Sequence, residues 1–75
     1  LKNWFETNSL KQYRGLVLNW INRYKNICII YFVEHHFSSI CFLKTKFIIN
    51  VGDRINIINT TCNYNDILSF ELVSS

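Results

Sequence analysis

From Arg14 onward, apolar residues fall in short runs separated by polar stretches, and none of the runs carries the stripe of an amphipathic helix. Arg14 to Asn22, RGLVLNWIN, is rich in Leu, Val, Trp and Ile and predicts a first strand. Gly15 near its start suits a strong bend or a bulge. Asn22 to Asn26 is a polar turn, and Ile27 to His36 is a second strand. Its apolar residues occupy both faces from Ile27 to Val33, which places it centrally. Phe37-Ser38-Ser39 predicts a loop, and Ile40 to Leu43 is short enough to be a strand or one helical turn. The stretch KTKFIINVGDRINII, Lys44 to Ile58, predicts a hairpin: Phe47, Ile48 and Ile49 as one strand, Asn50-Val51-Gly52-Asp53 as the turn, and Ile55 and Ile57 in the next. Gly52 accepts φ > 0 there and Asp53 can bond the local backbone. NTTCNYND, residues 59 to 66, predicts a surface loop, and Ile67 to Val73 a last strand with Leu68, Phe70 and Leu72 on one face.

Together these elements predict an all-β chain of five strands. A sheet that small avoids exposed edges best by closing, which points to a five-stranded OB-type barrel, with a two-layer open sheet as the alternative. The barrel is expected over 14–75, preceded by a short N-terminal arm, 1–13, in which Trp4, Phe5, Leu10 and Tyr13 are poorly spaced for a helix.

Composition changes the picture in two ways. Phe, Tyr, Asn, Lys and Ile make up 36 of 75 residues, whereas Pro, Ala, Gly and Arg make up 5, the mark of an A+T-rich coding sequence such as an organelle's. Charged residues are only 17% of the chain, low for a surface that faces water alone, so part of it is expected to be covered by a partner. The net charge is +3, but residues 1 to 54 hold all eight Lys and Arg against three acids, while residues 55 to 75 hold only Asp66 and Glu71. The longest apolar run, Ile27 to Val33, is far short of the roughly 20 residues a membrane-spanning helix needs, so no membrane is expected as a partner. The opening LKNWFETNSL has neither the apolar core of a signal peptide nor the Arg-rich character of a transit peptide.

Candidate catalytic chemistry is thin. Cys28, Cys41 and Cys62 match no metal-ligand or disulfide spacing and are expected to be reduced, small hydrophobes. His35 and His36 are adjacent, so on a strand they point to opposite faces and cannot clamp one metal. No nucleophile elbow, P-loop or dinucleotide fingerprint is present, since the two glycines stand 37 positions apart. No enzyme activity, cofactor, metal or small-molecule substrate is expected. Nucleic-acid binding is better supported. Lys11 with Arg14, Arg23 with Lys25, and Lys44 with Lys46 are basic pairs at strand ends or turns, where long side chains reach phosphates. Tyr13, Trp20, Tyr24 and Tyr31 interleave with them and could stack on bases, although a solvated basic surface over an aromatic core fits the same residues.

Taken in order, RGLVLN at 14–19, RYKNICIIYFVEH at 23–35, VGDRINI at 51–57 and SFELV at 69–73 resemble the universal small-subunit ribosomal protein seventeen family. The family's basic-Gly-Val opening is answered by Arg14, Gly15 and Val17, its Val-Gly-Asp by Val51, Gly52 and Asp53, and its aromatic residue before Leu-Val by Phe70, Leu72 and Val73. The chain departs from the family in a shorter segment between His36 and Val51 and in NTTCNYND, which carries no positive charge where the family has a basic loop. The resemblance implies an OB-fold, structural, rRNA-binding component of a small ribosomal subunit, with small-subunit rRNA and neighbouring ribosomal proteins as partners. With the A+T-rich composition it implies a mitochondrial location, a plastid-type organelle being the alternative. INVGDRINI followed by NDILSF also resembles the terminal hairpin of the small-subunit ribosomal protein four family, whose domain places two helices before it. A small accessory subunit of a protein complex, without RNA contact, is the reading from another class.

On the first reading, Lys11, Arg14, Arg23, Lys25, Lys44, Lys46 and Arg54 carry the phosphate contacts, with His35 and His36 as secondary polar contacts. A chain of this size without disulfides or metal is expected to be marginally stable alone and to gain from binding. Gly52→Val is expected to rank among the most damaging changes.

Overall fold

A computed structural model describes residues 11–60 and 66–74, all of them strand, turn or connection. The strands are β1 (Gln12–Asn22), β2 (Ile27–Phe32), β3 (Phe37–Lys44), β4 (Arg54–Asn59) and β5 (Leu68–Ser74). They close into a barrel in the order β1-β2-β3-β5-β4, β4 returning to β1. All neighbours are antiparallel except β3 and β5, which run parallel from Cys41↔Leu68 to Lys44↔Glu71. This is the OB-type, all-β barrel the pattern predicted.

The closure rests on β1. Its first part pairs with β4, Gln12↔Ile58 to Leu16↔Arg54, and from Gly15 onward it also pairs with β2. One long strand thus serves two neighbours, bending through irregularities between Val17 and Asn19 and between Trp20 and Asn22. Gly15 itself lies in regular register, so the expected bend sits further along. Alternation then fills the barrel. Tyr13, Val17, Ile30, Phe32, Leu43, Ile55, Ile57 and Phe70 are buried together with Cys28 and Cys41, and each large apolar side chain so buried is worth roughly 1.5–3 kcal/mol. At the end where the chain turns from β2 into β3, the Phe32 and Phe70 rings lie 5.1 Å apart. Tyr13 meets both edge-on, at 6.3 and 6.0 Å.

Three expectations change. The Lys44–Ile58 hairpin is not formed. Residues 45–53 make an irregular connection, because β5 lies between β3 and β4 and leaves Phe47–Ile49 no strand to pair with. Phe47 and Ile48 are exposed, and only Ile49 enters the core. The turn itself survives: Asp53 N–H donates to Asn50 O at 3.0 Å, Asn50 N–H donates to the Asp53 carboxylate at 2.9 Å, and Gly52 has φ +94°. It docks on β1, with Gly52 N–H donating to Val17 O at 2.8 Å and Val17 N–H to Asp53 O at 3.0 Å. Second, β2 stops at Phe32, whose carbonyl accepts from His35 and His36 N–H in a tight turn, and β3 starts at once where a Phe37–Ser39 loop was expected. Third, β1 begins at Gln12, inside the expected 1–13 arm, of which 1–10 lie outside the described residues, and Asn59 of the predicted NTTCNYND loop is the buried last residue of β4, while 61–65 lie outside the described residues. Among the described residues there is no helix, so the two helices that the second family resemblance requires are not found before the turn.

Candidate nucleic-acid interface

The expected RNA-contacting residues fall into two groups. The β1–β2 turn, residues 23–26, and the 45–53 connection meet at one end of the barrel, where Arg23 Nη2 donates to Ile49 O and Arg23 and Asn26 line a groove with residues 45–49, while Leu43 N–H, donating to Asn26 O at 2.9 Å, ties the turn to β3. Asn26 adopts φ +56°, and Lys25 N–H is held by the Asn22 side chain at 3.1 Å, so this turn has a set shape. Arg23, Lys25, Lys44 and Lys46 gather here. Arg23 and Lys46 line one groove with Trp20, Phe47 and Ile48, and Lys44 and Lys46 line a second with Glu71. Two acids border this group: Glu71, the register partner of Lys44, and Asp53, whose carboxylate accepts from Asn50 N–H in the same connection.

Arg23 is also a brace. Its guanidinium lies over the Trp20 ring, 4.7 Å from the centroid, and Nη2 donates to Ile49 O at 3.1 Å. That stacks a weakly hydrated cation on an indole face and ties the connection to the turn. Lys25, Lys44 and Lys46 are exposed and, among the described residues, have no ion-pair partner within 4 Å. Tyr24 is fully exposed at the turn tip and Phe47 is 73% exposed beside the lysines. Cations next to open aromatic faces are what single-stranded nucleic acid requires, phosphates meeting charge and bases meeting rings.

The second group lies on the outer wall of β1 and β4 and at the β2–β3 turn. Arg14 forms a salt bridge with Glu34, both exposed, so much of its charge is answered within the chain. The bond from the Arg14 side chain holds the Glu34 carboxyl below the usual range. Lys11 stands 5.7 Å above the Tyr13 ring, and Arg54 extends from the start of β4 next to Leu16. His35 is half-buried, its ring 5.5 Å from Tyr13 and 6.2 Å from Phe37, which makes it part of the aromatic packing at that end. His36 is exposed at φ +58°.

The aromatic residues divide differently from the expectation. Tyr13 is buried in the core and offers no face to a base, whereas Trp20 and Tyr31 are half-buried and Tyr24 is free. Phe47 and Ile48 were assigned to a strand. The one sequence feature that sets them apart is Lys44-Thr45-Lys46 directly before them; that they have no strand to pair with follows only from the strand order. Cys28 and Cys41 face each other across β2 and β3 as buried free thiols. Burial pushes Cys28 up to about 11 and raises Cys41 as well, so both are inert core residues. Cys62 lies outside the described residues. Among the described residues, no three His, Cys, Asp or Glu side chains form a metal-binding group, and no helix is long and apolar enough to cross a membrane. No family model, curated protein or solved structure matches the chain.

Proposed function

We propose that this chain is a non-catalytic RNA-binding barrel, and that it serves as a structural component of a mitochondrial small ribosomal subunit. The observation that carries the RNA reading is the gathering of Arg23, Lys25, Lys44 and Lys46 with exposed Tyr24 and Phe47 at one end of a closed barrel. Such an end meets phosphates through flexible cations and a loop base through a ring, with little base-specific readout. The ribosomal and mitochondrial parts rest on the ordered sequence resemblance and the A+T-rich composition.

The reading as an accessory subunit has one observation in its favour. The outer face of β2 and β3 carries Ile29, Ile40 and Phe42 without a cation until Lys44, and Ile40 is 47% exposed. In a ribosomal subunit the same face suits a neighbouring protein.

Two measurements test the proposal. In gradient sedimentation of organelle extracts the chain travels with small ribosomal subunits, and its presence only in free fractions or in a complex without RNA overturns the ribosomal assignment. Binding of the purified chain to structured RNA weakens with salt, and Lys25→Ala with Lys46→Ala flattens log Kd against log salt by about one to two counterions. Lysines are the choice because Arg23 also braces the fold. An unchanged slope removes this end of the barrel from the interface.

A further inference from the structure

Apart from the basic end, the outer wall of the barrel holds a groove of about 500 Å³ where β2, β1 and β4 run side by side. That volume lies within the roughly 300–1,000 Å³ of ligand pockets. Alternation builds it. Gly15 and Ile55 turn inward, so their backbones form the floor. The outward neighbours Arg14, Leu16, Tyr31, Val33, Arg54 and Asn56 stand around it. Register fixes their arrangement: Leu16 pairs with Tyr31 on one side and Arg54 on the other, and Arg14 with Asn56.

We propose that this groove receives one nucleotide of a single-stranded RNA segment, its base against the Tyr31 ring, Leu16 and Val33 and its phosphate on Arg54. The proposal rests on the RNA reading and adds a second contact that the basic end does not supply. Charge complementarity selects the occupant. Arg14 is answered by Glu34, whereas Arg54 has no ion pair among the described residues, so a single guanidinium is left beside an apolar, aromatic-bearing wall. A flat apolar body with one negative charge matches that pairing, since stacking on a ring is tolerant of base identity and a guanidinium forks onto phosphate oxygens. Asn56, opposite Arg14, donates one amide hydrogen to Ser74 Oγ at 3.0 Å, which fixes its side chain and leaves Oδ1 and the second N–H for a base edge.

The test is binding of the full chain to a short labelled oligouridylate, with 4-thiouridine for photocrosslinking. Tyr31→Ala is expected to weaken binding roughly tenfold, the loss of one base stack, and Tyr31→Phe to restore it. Arg54→Ala flattens the salt dependence by about one counterion. The crosslink maps to Tyr31 or Leu16. Tyr31 is on the outer surface, so these variants keep the wild-type circular dichroism, and Tyr31→Leu, which fills the space without a ring, repeats the loss should the alanine variant fail to fold. Wild-type binding by Tyr31→Ala and Arg54→Ala, while Lys25→Ala and Lys46→Ala bind weakly, overturns the groove and leaves the RNA reading standing. A change in oligomeric state without a change in RNA binding assigns the groove to a second copy and overturns the proposal. Loss of RNA binding in no variant overturns the groove and removes the basic end from the interface, and no RNA binding by the wild type overturns the RNA reading with it.

Discussion

Gly15 sits in the wall of the barrel and Gly52 in the connection that closes its end, and each is glycine for a different reason. A Cβ on Gly15 would lie 2.6 Å from Ile30 Cγ2, a methyl on a stiff, β-branched and wholly buried side chain. A Cβ on Gly52 would meet nothing within 4 Å, but the backbone there holds φ +94°. The wall excludes a side chain through space and the connection through torsion. A space constraint grows with every added atom, whereas a torsional one is nearly complete at the first. The wall is where the barrel closes, so crowding there threatens the fold, while strain in the connection threatens only the turn.

The largest effect is therefore expected in the wall. Replacing a strand glycine by alanine ordinarily gains about 0.4–1 kcal/mol through the unfolded chain, but overpacking costs about 1–3 kcal/mol, so crowding wins and Gly15→Ala destabilises. Gly15→Val adds two methyl groups beyond the alanine Cβ and is expected to prevent folding or to leave too little stability to measure, given a total of roughly 5–15 kcal/mol for an ordinary domain. Urea unfolding reads this as a lower midpoint at constant slope. The background that sharpens it is Ile30→Ala, which removes Cγ2 at a cost of about 2–5 kcal/mol on its own. On that background Gly15→Ala is expected to be neutral or stabilising. An equal cost in both backgrounds would show that contact with Ile30 is not the constraint.

At Gly52 the expected effect is smaller. Alanine with positive φ costs roughly 1–2 kcal/mol, and asparagine, which tolerates left-handed backbone, costs less. Valine exceeds alanine only by its branching, because the site is open. The two hydrogen bonds to Val17 hold the turn in place from outside, so it bends without releasing β4. Gly52→Val thus ranks below Gly15→Val, a different order from the one the hairpin reading suggested. A Gly52→Val variant less stable than Gly15→Val would reverse the comparison and restore that reading.

The same contrast explains what could be read in the sequence. Strands β1, β2, β4 and β5 showed themselves as short apolar runs, β2 apolar on both faces, and closure was inferred from a count of five that took Phe47–Ile49 in the place of β3. Strand β3 did not, because its inward residues Phe37, Ser39, Cys41 and Leu43 and its outward residues Ser38, Ile40, Phe42 and Lys44 mix polar and apolar on both faces. Phe47–Ile49 misled in the opposite direction, an apolar run with one buried residue and no strand to pair with. Of the candidate interface, the basic positions were legible and their grouping was not. Arg23 and Lys46 meet only because the connection crosses the barrel end, and Arg14 meets Glu34 only through the β1–β2 ladder. Tyr13 was misread although its parity with Gly15 and Val17 placed it inside.

The smallest effect is expected on the outside of the same wall, at the salt bridge between Arg14 and Glu34. The Arg14 side chain holds the Glu34 carboxyl below its ordinary range in the folded chain, so the contribution is present above the ordinary glutamate value of about 4.3 and is lost as the pH falls through the lower folded value. The two side chains are 66% and 50% exposed, so water and salt screen the pair and its weight at neutral pH is slight. Thermal unfolding of wild type and Glu34→Gln is expected to differ little at neutral pH. The wild type then loses more of its midpoint than the variant as the solution is acidified below that range. At about 1 M salt, where the Debye length is roughly 3 Å, the difference shrinks. Glu34→Gln also frees the Arg14 guanidinium at the rim of the β1–β4 groove, so RNA affinity is expected to rise by severalfold at low salt with a steeper salt dependence. Identical acid limbs in the two proteins would show that the pair does not persist in solution, and unchanged RNA affinity would show that Arg14 faces no phosphate.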